Sequence, residues 1–372
     1  MMERVTIATH AAPHRTWAEI DLTALEQNLA FLQAHQPAPL TMAILKANAY
    51  GHGIEELANF LDHLGLAYFG VASVIEARQL SALDVQTPIY LLGPTFPGER
   101  DEIIDQRWVP CLSSIEEAHD FELRNTGKPA LEAHIVLDTG MGRGGILPTQ
   151  LPTLVDFLEH SCPHLKLVGI GSHLPSADED PEFTINQIAR FDEAVAPYKH
   201  LPFIHIANSA GLLAYHSTHA NLVRPGLMLY GASPLAEFQS KLKPVMTLKS
   251  HVSIVRTLPA GHSVSYGRDV LLQRDTQVAT IGAGYGDGYP RSLSNQGAEV
   301  LIRGTRCPVL GRVTMDQIMV DVTDLEHVEA GDEVELFGPH ILVTEIAKKA
   351  GTIAWEIFTG ISPRVTRVHR WH

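Results

Sequence analysis

The chain has 372 residues, of which 45% are hydrophobic and 19% are charged, and its formal net charge at pH 7 is −14. This length and balance predict either two or three globular domains or one large barrel with a smaller domain. The negative charge argues against a general nucleic-acid-binding protein. No segment approaches the roughly 18 apolar residues that a membrane-spanning helix needs.

Two further features of the composition narrow the class of protein. The first residues contain no apolar region of the kind found in signal peptides, and three widely spaced cysteines form no disulfide framework. We therefore expect a protein of the reducing cytoplasm. The histidines are scattered, and the absence of HExxH and CxxC motifs predicts that no metal is bound.

Residues 16–238 alternate between strand-like and helix-like segments. After an opening TWAEID and its helix, eight apolar segments follow in the order TMAILKA, YFGVASV, TPIYLLG, WVPCLSS, EAHIVLD, KLVGIGSH, FIHIAN and NLVRPGLMLYG. Amphipathic helical patterns separate most of them. Near-continuous hydrophobic strands that alternate with helices predict a parallel (β/α)8, TIM-like barrel over residues 16–238. A doubly wound sheet is the alternative, and the count of eight and the absence of a GxGxxG motif favour the barrel.

The pattern changes in the second part of the chain. Residues 239–372 alternate apolar and polar positions between frequent glycines and prolines, as in HVSIVRTLPAGHSVSYG and AEVLIRGTRCPVLG. This pattern predicts a mostly antiparallel β domain. One helical pattern, VTEIAKKAGT, lies near its end. We expect the N-terminal segment, residues 1–15, to pack with this β domain.

Several polar residues fall where the predicted barrel strands end. Active sites of such barrels lie at the carboxyl ends of the strands. The residues at these ends are Lys46, Arg143, His173, Asn208 and Ser209, and Arg224 lies within the last strand. Their convergence on one barrel mouth predicts an active site there.

The residue types at this mouth indicate a particular chemistry. An amine such as that of Lys46 can form a Schiff base with an aldehyde cofactor or a carbonyl substrate. Ser209 and nearby backbone N–H groups, with Gly226 and Leu227 close by and Tyr50 as a further donor, form a possible anion cup. A lysine together with a phosphate cup indicates pyridoxal phosphate. The alternatives are a lysine that only reaches out to solvent, a helix-capping serine, a turn glycine and a packed tyrosine.

The order of the motifs resembles that of the alanine racemases, pyridoxal-phosphate enzymes of fold type III. The matching segments, spread over nearly the whole chain, are AEIDLTALEQNL, LKANAYGHG, DTGMGRGG, GIGSHLPSADE, ANSAGLL, LVRPGLMLYG, SVSYGR, GYGDGYPR, GRVTMDQIMVDVTD and EIFTGISPRVTRV. The resemblance implies a barrel, a C-terminal β domain and a head-to-tail homodimer whose active sites are shared between subunits. It also implies interconversion of L-alanine and D-alanine, with D-alanine supplied for peptidoglycan.

The resemblance also implies roles for individual residues. Lys46 resembles the lysine that bonds the cofactor and acts as one base, and Tyr266 resembles the second base, contributed by the other subunit. Arg143 matches the arginine beside the cofactor's phenolic oxygen and the substrate carboxylate, and His173 and Arg224 match the pair behind the ring. The remaining implied residues are Tyr50, Asn208, Ser209, Gly226, Leu227 and Trp355 at the cofactor, Met315 at the substrate, and Asp178, Tyr285, Arg291 and Arg312 at the entrance.

The chain departs from the family pattern at three positions. Many members carry a carbamylated lysine where this chain has Val136, so we expect a chloride or a neighbouring carboxylate to supply an anion to Arg143. Trp355 replaces a tyrosine, and its larger ring is expected to narrow or reposition the entrance. Thr314 replaces a common cysteine of similar size.

Three other functions are compatible with these residues. A broad-specificity or serine-preferring racemase on the same scaffold is the first alternative, because Val136 and Trp355 are unusual. A fold type III decarboxylase would share the lysine and the barrel but should lack SVSYGR with its second base. A cofactor-carrying protein without catalysis would need only the barrel.

Overall fold

The computed structural model describes residues 14–35 and 40–371, so the greater part of the predicted N-terminal segment, residues 1–13, lies outside the described residues. The described chain forms two compact units. One contains residues 14–20 and Met246–Arg370, and the other contains Asp21–Val245 and Trp371. The first strand, β1 (Thr16–Asp21), opens the chain.

The unit of residues 21–245 alternates strands and helices, as the sequence predicts. Its strands are β2 (Leu40–Ile44), β3 (Tyr68–Val71), β4 (Ile89–Leu91), β5 (Cys111–Leu112), β6 (Leu131–Val136), β7 (Leu165–Gly171), β8 (Phe203–His205) and β9 (Leu222–Val223). Its helical segments are α1 (Leu22–His35), α2 (Lys46–Tyr50), α3 (Ile54–Leu61), α4 (Val74–Ser81), α5 (Arg100–Asp105), α6 (Ile115–Arg124), α7 (Leu151–Ser161), α8 (Pro181–Val195), α9 (Ser209–Ala214) and α10 (Ala236–Gln239). Each of the eight predicted segments overlaps one of the strands β2–β9.

These strands form two four-stranded parallel sheets, in the orders β4-β3-β2-β9 and β5-β6-β7-β8. A parallel bridge between Tyr90 and Val109 joins the sheets on one side. On the other side, the backbone N–H of Asn221 donates to the Ile204 carbonyl (2.9 Å). Parallel strands bring their carboxyl ends to one edge, so the polar residues that follow β2, β7 and β8 lie on the same side of this unit.

The core of this unit explains why its strands read as apolar runs. Strand residues such as Met42, Phe69 and Ile170 are fully buried, because helices cover the strands. The helix α1 packs Leu32 against Val223 and Met228, next to the last strand. Ser73 and Ser114 begin α4 and α6 as N-caps whose side chains accept hydrogen bonds from backbone N–H groups.

The other unit is the predicted antiparallel β domain. Its strands are β10 (Met246–Leu258), β11 (Ser263–Val264), β12 (Val270–Leu271), β13 (Thr276–Ile281), β14 (Glu299–Ile302), β15 (Thr305–Leu310), β16 (Ile318–Asp321), β17 (Glu333–Phe337) and β18 (Thr366–Arg370). Two helices, α11 (Val343–Ala350) and α12 (Ala354–Thr359), lie near its end, and α11 confirms the helix predicted from VTEIAKKAGT.

The long strand β10 closes this sheet into a barrel. The order β13-β16-β15-β14-β17-β10 returns to β13, because β10 pairs with both β17 and β13. An irregularity between Val252 and Ile254 lies near the start of the pairing with β13, just after the pairing with β17 ends at His251, and a bulge of this kind bends a strand. The first half of β10 also pairs with β1, with Thr16 opposite Ser250. None of the described helices is long and apolar enough to cross a membrane.

Gly231 lies in the turn after the anion-cup segment, and its replacement should destabilise the fold more than replacement of a glycine in an open turn. Gly231 and Gly127 both have positive φ, at 85° and 78°. A Cβ at residue 231 would overlap the Lys243 carbonyl, whereas a Cβ at residue 127 would meet nothing within 4 Å. We expect Gly231→Ala to lower the free energy of unfolding by more than about 2 kcal/mol and Gly127→Ala by about 1 kcal/mol. Urea unfolding measures both, and equal losses would contradict the expected overlap.

Candidate active site

Lys46 lies at the carboxyl end of β2, where the backbone turns left-handed. The side chain is half-buried. Residues 47–50 all have φ between 51° and 56°, and Gly51 and Gly53 continue with positive φ. A left-handed helical conformation costs about 1–2 kcal/mol for each L-residue, so other contacts must hold this turn. One of them is the Asn48 side-chain oxygen, which accepts from the Ile54 N–H (2.8 Å).

The surroundings of Lys46 favour its neutral amine. Burial lowers the pKa of Lys46, and the positive charges of Arg143 and Arg224 lower it further, while the negative charge of Glu76 opposes them. A lysine with a lowered pKa has more neutral amine at pH 7 than an ordinary lysine. The neutral amine is the form that attacks a carbonyl carbon and accepts a proton.

Tyr50, Ser209 and Gly226 meet in one small cup. A Cβ at residue 226 would lie only 2.6 Å from the Tyr50 hydroxyl oxygen, so only glycine leaves the hydroxyl its space. The Ser209 hydroxyl accepts hydrogen bonds from the N–H groups of Gly226 (3.0 Å) and Met228 (3.4 Å). Burial raises the pKa of Tyr50 to about 12, so its hydroxyl stays protonated and can donate. Two hydroxyls beside closely approaching backbone fit a phosphate group.

Two neighbours fix this cup in place. The Tyr230 ring lies 4.9 Å from the Tyr50 ring, and the Tyr230 hydroxyl donates to the Ile44 carbonyl (2.7 Å). The Asn208 side chain caps α9 by accepting from the Gly211 N–H (2.9 Å) and donates to the Leu174 carbonyl (2.9 Å). Asn208 therefore holds the turn that presents Ser209. Leu227 is buried in the same segment.

Arg224 is buried beside His173. Its Nη2 donates to the carbonyl oxygens of Ser172 (2.5 Å) and Ile206 (3.2 Å) and lies 3.3 Å from His173 Nδ1. Burial lowers the pKa of Arg224 to about 10, so the guanidinium remains charged at neutral pH. Burial, followed by the charges of Arg224 and other nearby cations, lowers the pKa of His173 to about 3, so this imidazole is neutral.

A chain of hydrogen bonds continues from Arg224 into the unit, and sequence reasoning missed it. Arg224 Nη1 bonds His205 Nδ1, and His205 Nε2 lies 3.0 Å from His134 Nδ1. Because a guanidinium only donates, His205 accepts at Nδ1 and donates from Nε2. His134 therefore also accepts at Nδ1, and its Nε2 is 3.4 Å from the Tyr68 hydroxyl. Both imidazoles are thus neutral and protonated on Nε2.

The glycines of β7 make room for these rings. A Cβ at residue 169 would overlap His134, and a Cβ at residue 171 would overlap His205. The available signal in the sequence was a histidine within each of the apolar segments EAHIVLD and FIHIAN, together with the glycines of KLVGIGSH. Strand register, rather than either segment alone, brings the two rings together.

Arg143 lies on a loop that a single aspartate organises. The Asp138 carboxylate accepts from the N–H groups of Gly140, Met141 and Gly142, each at 2.9 Å. Arg143 itself is exposed, and Val136 is half-buried at the end of β6. The anion expected beside Arg143 stays a prediction.

A second group of predicted site residues lies in the β domain. Tyr266 is 70% exposed in a tight turn between Ser265 and Gly267, both with positive φ. The Ser265 hydroxyl donates to the Arg312 carbonyl (2.7 Å), and the Arg312 guanidinium pairs with Asp269 (2.7 Å). These contacts connect the Tyr266 turn to the segment that leads to Met315.

Met315 and Tyr285 lie on adjoining loops of the same domain. The Met315 carbonyl accepts from the Gly286 N–H (2.8 Å), and the Tyr285 N–H donates to the Thr314 carbonyl (3.0 Å). Ser294 links the Arg291 carbonyl to the Val313 N–H. The residues that meet on these loops are Tyr266, Tyr285, Arg291, Arg312 and Met315. Trp355 is half-buried in α12, and Asp178 is exposed between β7 and α8 in the other unit.

The fold and the site define a class of enzyme. Its members have a lysine and an anion cup at the ends of parallel strands, and they also contain a closed antiparallel β domain. The family model of the alanine racemase N-terminal domain matches residues 20–234, and that of the alanine racemase C-terminal domain matches residues 245–369. The chain belongs to the alanine racemase family, which confirms the resemblance found in the sequence. Members of this family are isomerases that use pyridoxal 5'-phosphate.

Individual relatives match nearly the whole chain. The alanine racemases of Symbiobacterium thermophilum and Geobacter sulfurreducens are each 41% identical to it, and each match covers 95% of this chain and 97% of the relative. The solved alanine racemase from Streptomyces lavendulae has a TM-score of 0.89 at 34% identity, covering 97% of this chain and 98% of that one. The biosynthetic alanine racemase from Pseudomonas aeruginosa has a TM-score of 0.88 at 32% identity, covering 96% and 100%.

The buried histidines predict how stability depends on pH. Burial, and next the charge of Arg224, lower the pKa of His134 to about 3, from about 6.5 in an unfolded chain. Between these values the unfolded state binds the extra proton, so stability falls as the pH falls, by about 1.4 kcal/mol per pH unit for this residue. We expect His134→Gln to reduce the slope of the free energy of unfolding between pH 6 and pH 4 by that amount.

Urea unfolding at several pH values measures this slope. The control is His200→Gln, because His200 is exposed and takes no part in the chain of hydrogen bonds. It should leave the slope unchanged. A slope that is the same in wild type and His134→Gln would contradict the neutral, buried imidazole.

Proposed function

We propose that this chain interconverts L-alanine and D-alanine through Lys46 and Tyr266, with pyridoxal 5'-phosphate held at the ends of the parallel strands. The observation that carries the proposal is the half-buried Lys46, whose pKa is lowered by burial and by nearby cations, on the turn that also supplies Tyr50 to the anion cup. The product D-alanine would serve peptidoglycan synthesis in the cytoplasm.

We also infer that the two parallel sheets are halves of one (β/α)8 barrel. The bridge between Tyr90 and Val109 and the hydrogen bonds between Asn221 and Ile204 support this closure, since they link the two sheets on both sides. In such a barrel the residues after each strand surround a common mouth. The division into residues 1–15, 16–238 and 239–372 stays a prediction.

The residues present fit the cofactor. The Lys46 amine would hold the aldehyde carbon, and Tyr50 and Ser209, with the backbone at Gly226, would hold the phosphate. When bound, the cofactor withdraws electrons from the substrate Cα and weakens its bond to hydrogen. Arg224 would face the ring nitrogen as a donor, since a guanidinium has no acceptor. The hydrogen bonds around Arg224 keep its planar group in one orientation.

Racemisation requires proton transfer on both faces of the substrate Cα. Lys46 would remove or return the proton on one face, and Tyr266 would do so on the other. Lysine and tyrosine side chains have reference pKa values near 10, so a side chain of either type depends on its surroundings to act as a base at neutral pH. For Lys46, burial and the nearby cations Arg143 and Arg224 of the same unit provide such surroundings. The Tyr266 side chain, in contrast, is 70% exposed.

The exposure of Tyr266 supports a homodimer. A base that acts on a substrate away from water should not remain in solvent, and neighbouring Met315 and Tyr285 are also exposed. These apolar and aromatic side chains form a surface that a second copy of the chain would cover. We propose the head-to-tail homodimer in which each subunit supplies Tyr266, Met315 and the entrance residues to its partner's Lys46. Analytical ultracentrifugation tests this assembly directly.

A solvent-exchange experiment tests the two-base assignment. We expect Tyr266→Phe to lose racemisation by on the order of 10³-fold or more, because one face of Cα then has no proton carrier. In D2O the variant should still exchange the α-hydrogen of one enantiomer through Lys46. Chiral chromatography and mass spectrometry measure racemisation and deuterium uptake. The control is Tyr198→Phe, in a half-buried turn after α8.

Two results would contradict the assignment. Tyr266→Phe with undiminished racemisation would remove Tyr266 as a base. Exchange of both enantiomers without racemisation would mean that another group serves the second face. The same assay with alanine, serine and lysine distinguishes a serine-preferring racemase, and release of carbon dioxide would indicate a decarboxylase.

A further inference from the structure

One carboxylate ties the Lys46 turn to the neighbouring strand. Glu76 lies in the first turn of α4, and one of its oxygens accepts from the Ala47 N–H (2.6 Å) while the other accepts from the Ala72 N–H (2.8 Å). Ala47 directly follows Lys46, and Ala72 directly follows β3. Glu76 thus bridges the ends of two adjacent parallel strands at the point where Lys46 leaves the sheet.

The regular strand pairing stops just before this point. The β2–β3 ladder pairs Ile44 with Gly70, and the Leu45 N–H donates to the Gly70 carbonyl (2.9 Å). Beyond it, residue 47 enters the left-handed turn, where strand hydrogen bonds can no longer hold the backbone. The Glu76 carboxylate holds the backbone there instead, because it accepts the hydrogen bond from the Ala47 N–H. Hydrogen bonds to a charged acceptor are stronger than those between neutral groups.

Glu76 also supplies the negative charge near the Lys46 amine. Of the groups that act on Lys46, Arg143 and Arg224 are positive and Glu76 is negative. His173, which also lies near Lys46, is neutral because burial and these cations hold its pKa at about 3. Removing the charge of Glu76 therefore leaves two cations acting on the amine, which favours its neutral form.

The chain contains the same construction at a place without a lysine. Glu117 follows the N-cap Ser114 as Glu76 follows Ser73, and it accepts from the Ser113 N–H (2.8 Å) and the Thr95 hydroxyl (3.2 Å). It joins the segment after β4 to the end of β5. Glu117 also lies 3.7 Å from the Arg100 guanidinium, so its loss should disturb local structure at least as much. It is therefore a matched control for Glu76.

We propose that Glu76 is a positioning residue for Lys46: its carboxylate holds the left-handed turn that aims Lys46 and Tyr50, and it places a negative charge beside the residue that follows Lys46. The inference rests on the proposed role of Lys46 as the residue that holds the cofactor. It assigns Glu76 no contact with cofactor or substrate.

The Glu76→Gln variant of the full-length protein separates this role from a general loosening of the fold. Glutamine keeps the size but has one acceptor oxygen, so its NH2 group would face one of the two N–H donors. Competitive acylation with acetic anhydride, read at Lys46 by mass spectrometry after removal of the cofactor, gives the pH midpoint of the amine. We expect this midpoint to fall by about half a unit or more. Cofactor retained by the holoenzyme after exhaustive buffer exchange should fall severalfold.

Two further variants complete the experiment. Glu117→Gln should leave both readouts at wild-type values. Glu76→Asp keeps the charge but is too short to reach both N–H groups, so it should lower cofactor retention while its midpoint stays near that of wild type. It also serves as the second variant if Glu76→Gln does not fold.

The outcomes distinguish the proposed role of Glu76 from the proposed role of Lys46. An unchanged midpoint in Glu76→Gln, an equal change in Glu117→Gln, or the same midpoint shift in Glu76→Asp would overturn the proposed role of Glu76. Full cofactor retention in Lys46→Ala would instead overturn the role of Lys46, whatever the Glu76 variants do.

Discussion

The position of Lys46 depends on a backbone conformation that L-residues avoid. Residues 47–50 are left-handed, at a cost of about 1–2 kcal/mol each, which together approaches the net stability of a typical domain. Asparagine adopts this conformation more readily than alanine and tyrosine do. The turn therefore exists only because the folded chain holds it, through Glu76 at its start, Asn48 within it and Tyr230 against the Tyr50 ring. Local strain is in this way coupled to the chemistry of the site.

The charges of the site are arranged around this turn. Arg143 and Arg224 are cationic within a chain whose net charge is −14, so the site is locally positive and suited to a phosphate and a carboxylate. The buried imidazoles beneath Arg224 add no charge, because burial and Arg224 keep them neutral. They orient the guanidinium instead, through a chain of hydrogen bonds in which Arg224 donates to His205 and His205 donates to His134.

Much of the fold could be predicted from the sequence because its signals are local. The strands β2–β9 are buried on both faces and read as apolar runs, and α11 shows as one amphipathic pattern. The unpredicted features join distant residues. The segment SVIE looks like an ordinary helix cap, yet the Glu76 carboxylate binds Ala47, 29 residues away. Likewise, His134 and His205 each stand in an apolar segment, and only strand register places them 3.0 Å apart. The left-handed turn has only a weak local signal, since Asn48 is the one residue of ANAY that favours this conformation.

The proposed function requires that the Lys46 amine, at the end of β2, holds the cofactor. Reduction of the holoenzyme with borohydride fixes the cofactor to the lysine that holds it, and peptide mass spectrometry then identifies that residue. We expect one modified peptide, with the cofactor on Lys46. Modification of a different lysine, or none in a protein that retains its cofactor, would contradict it.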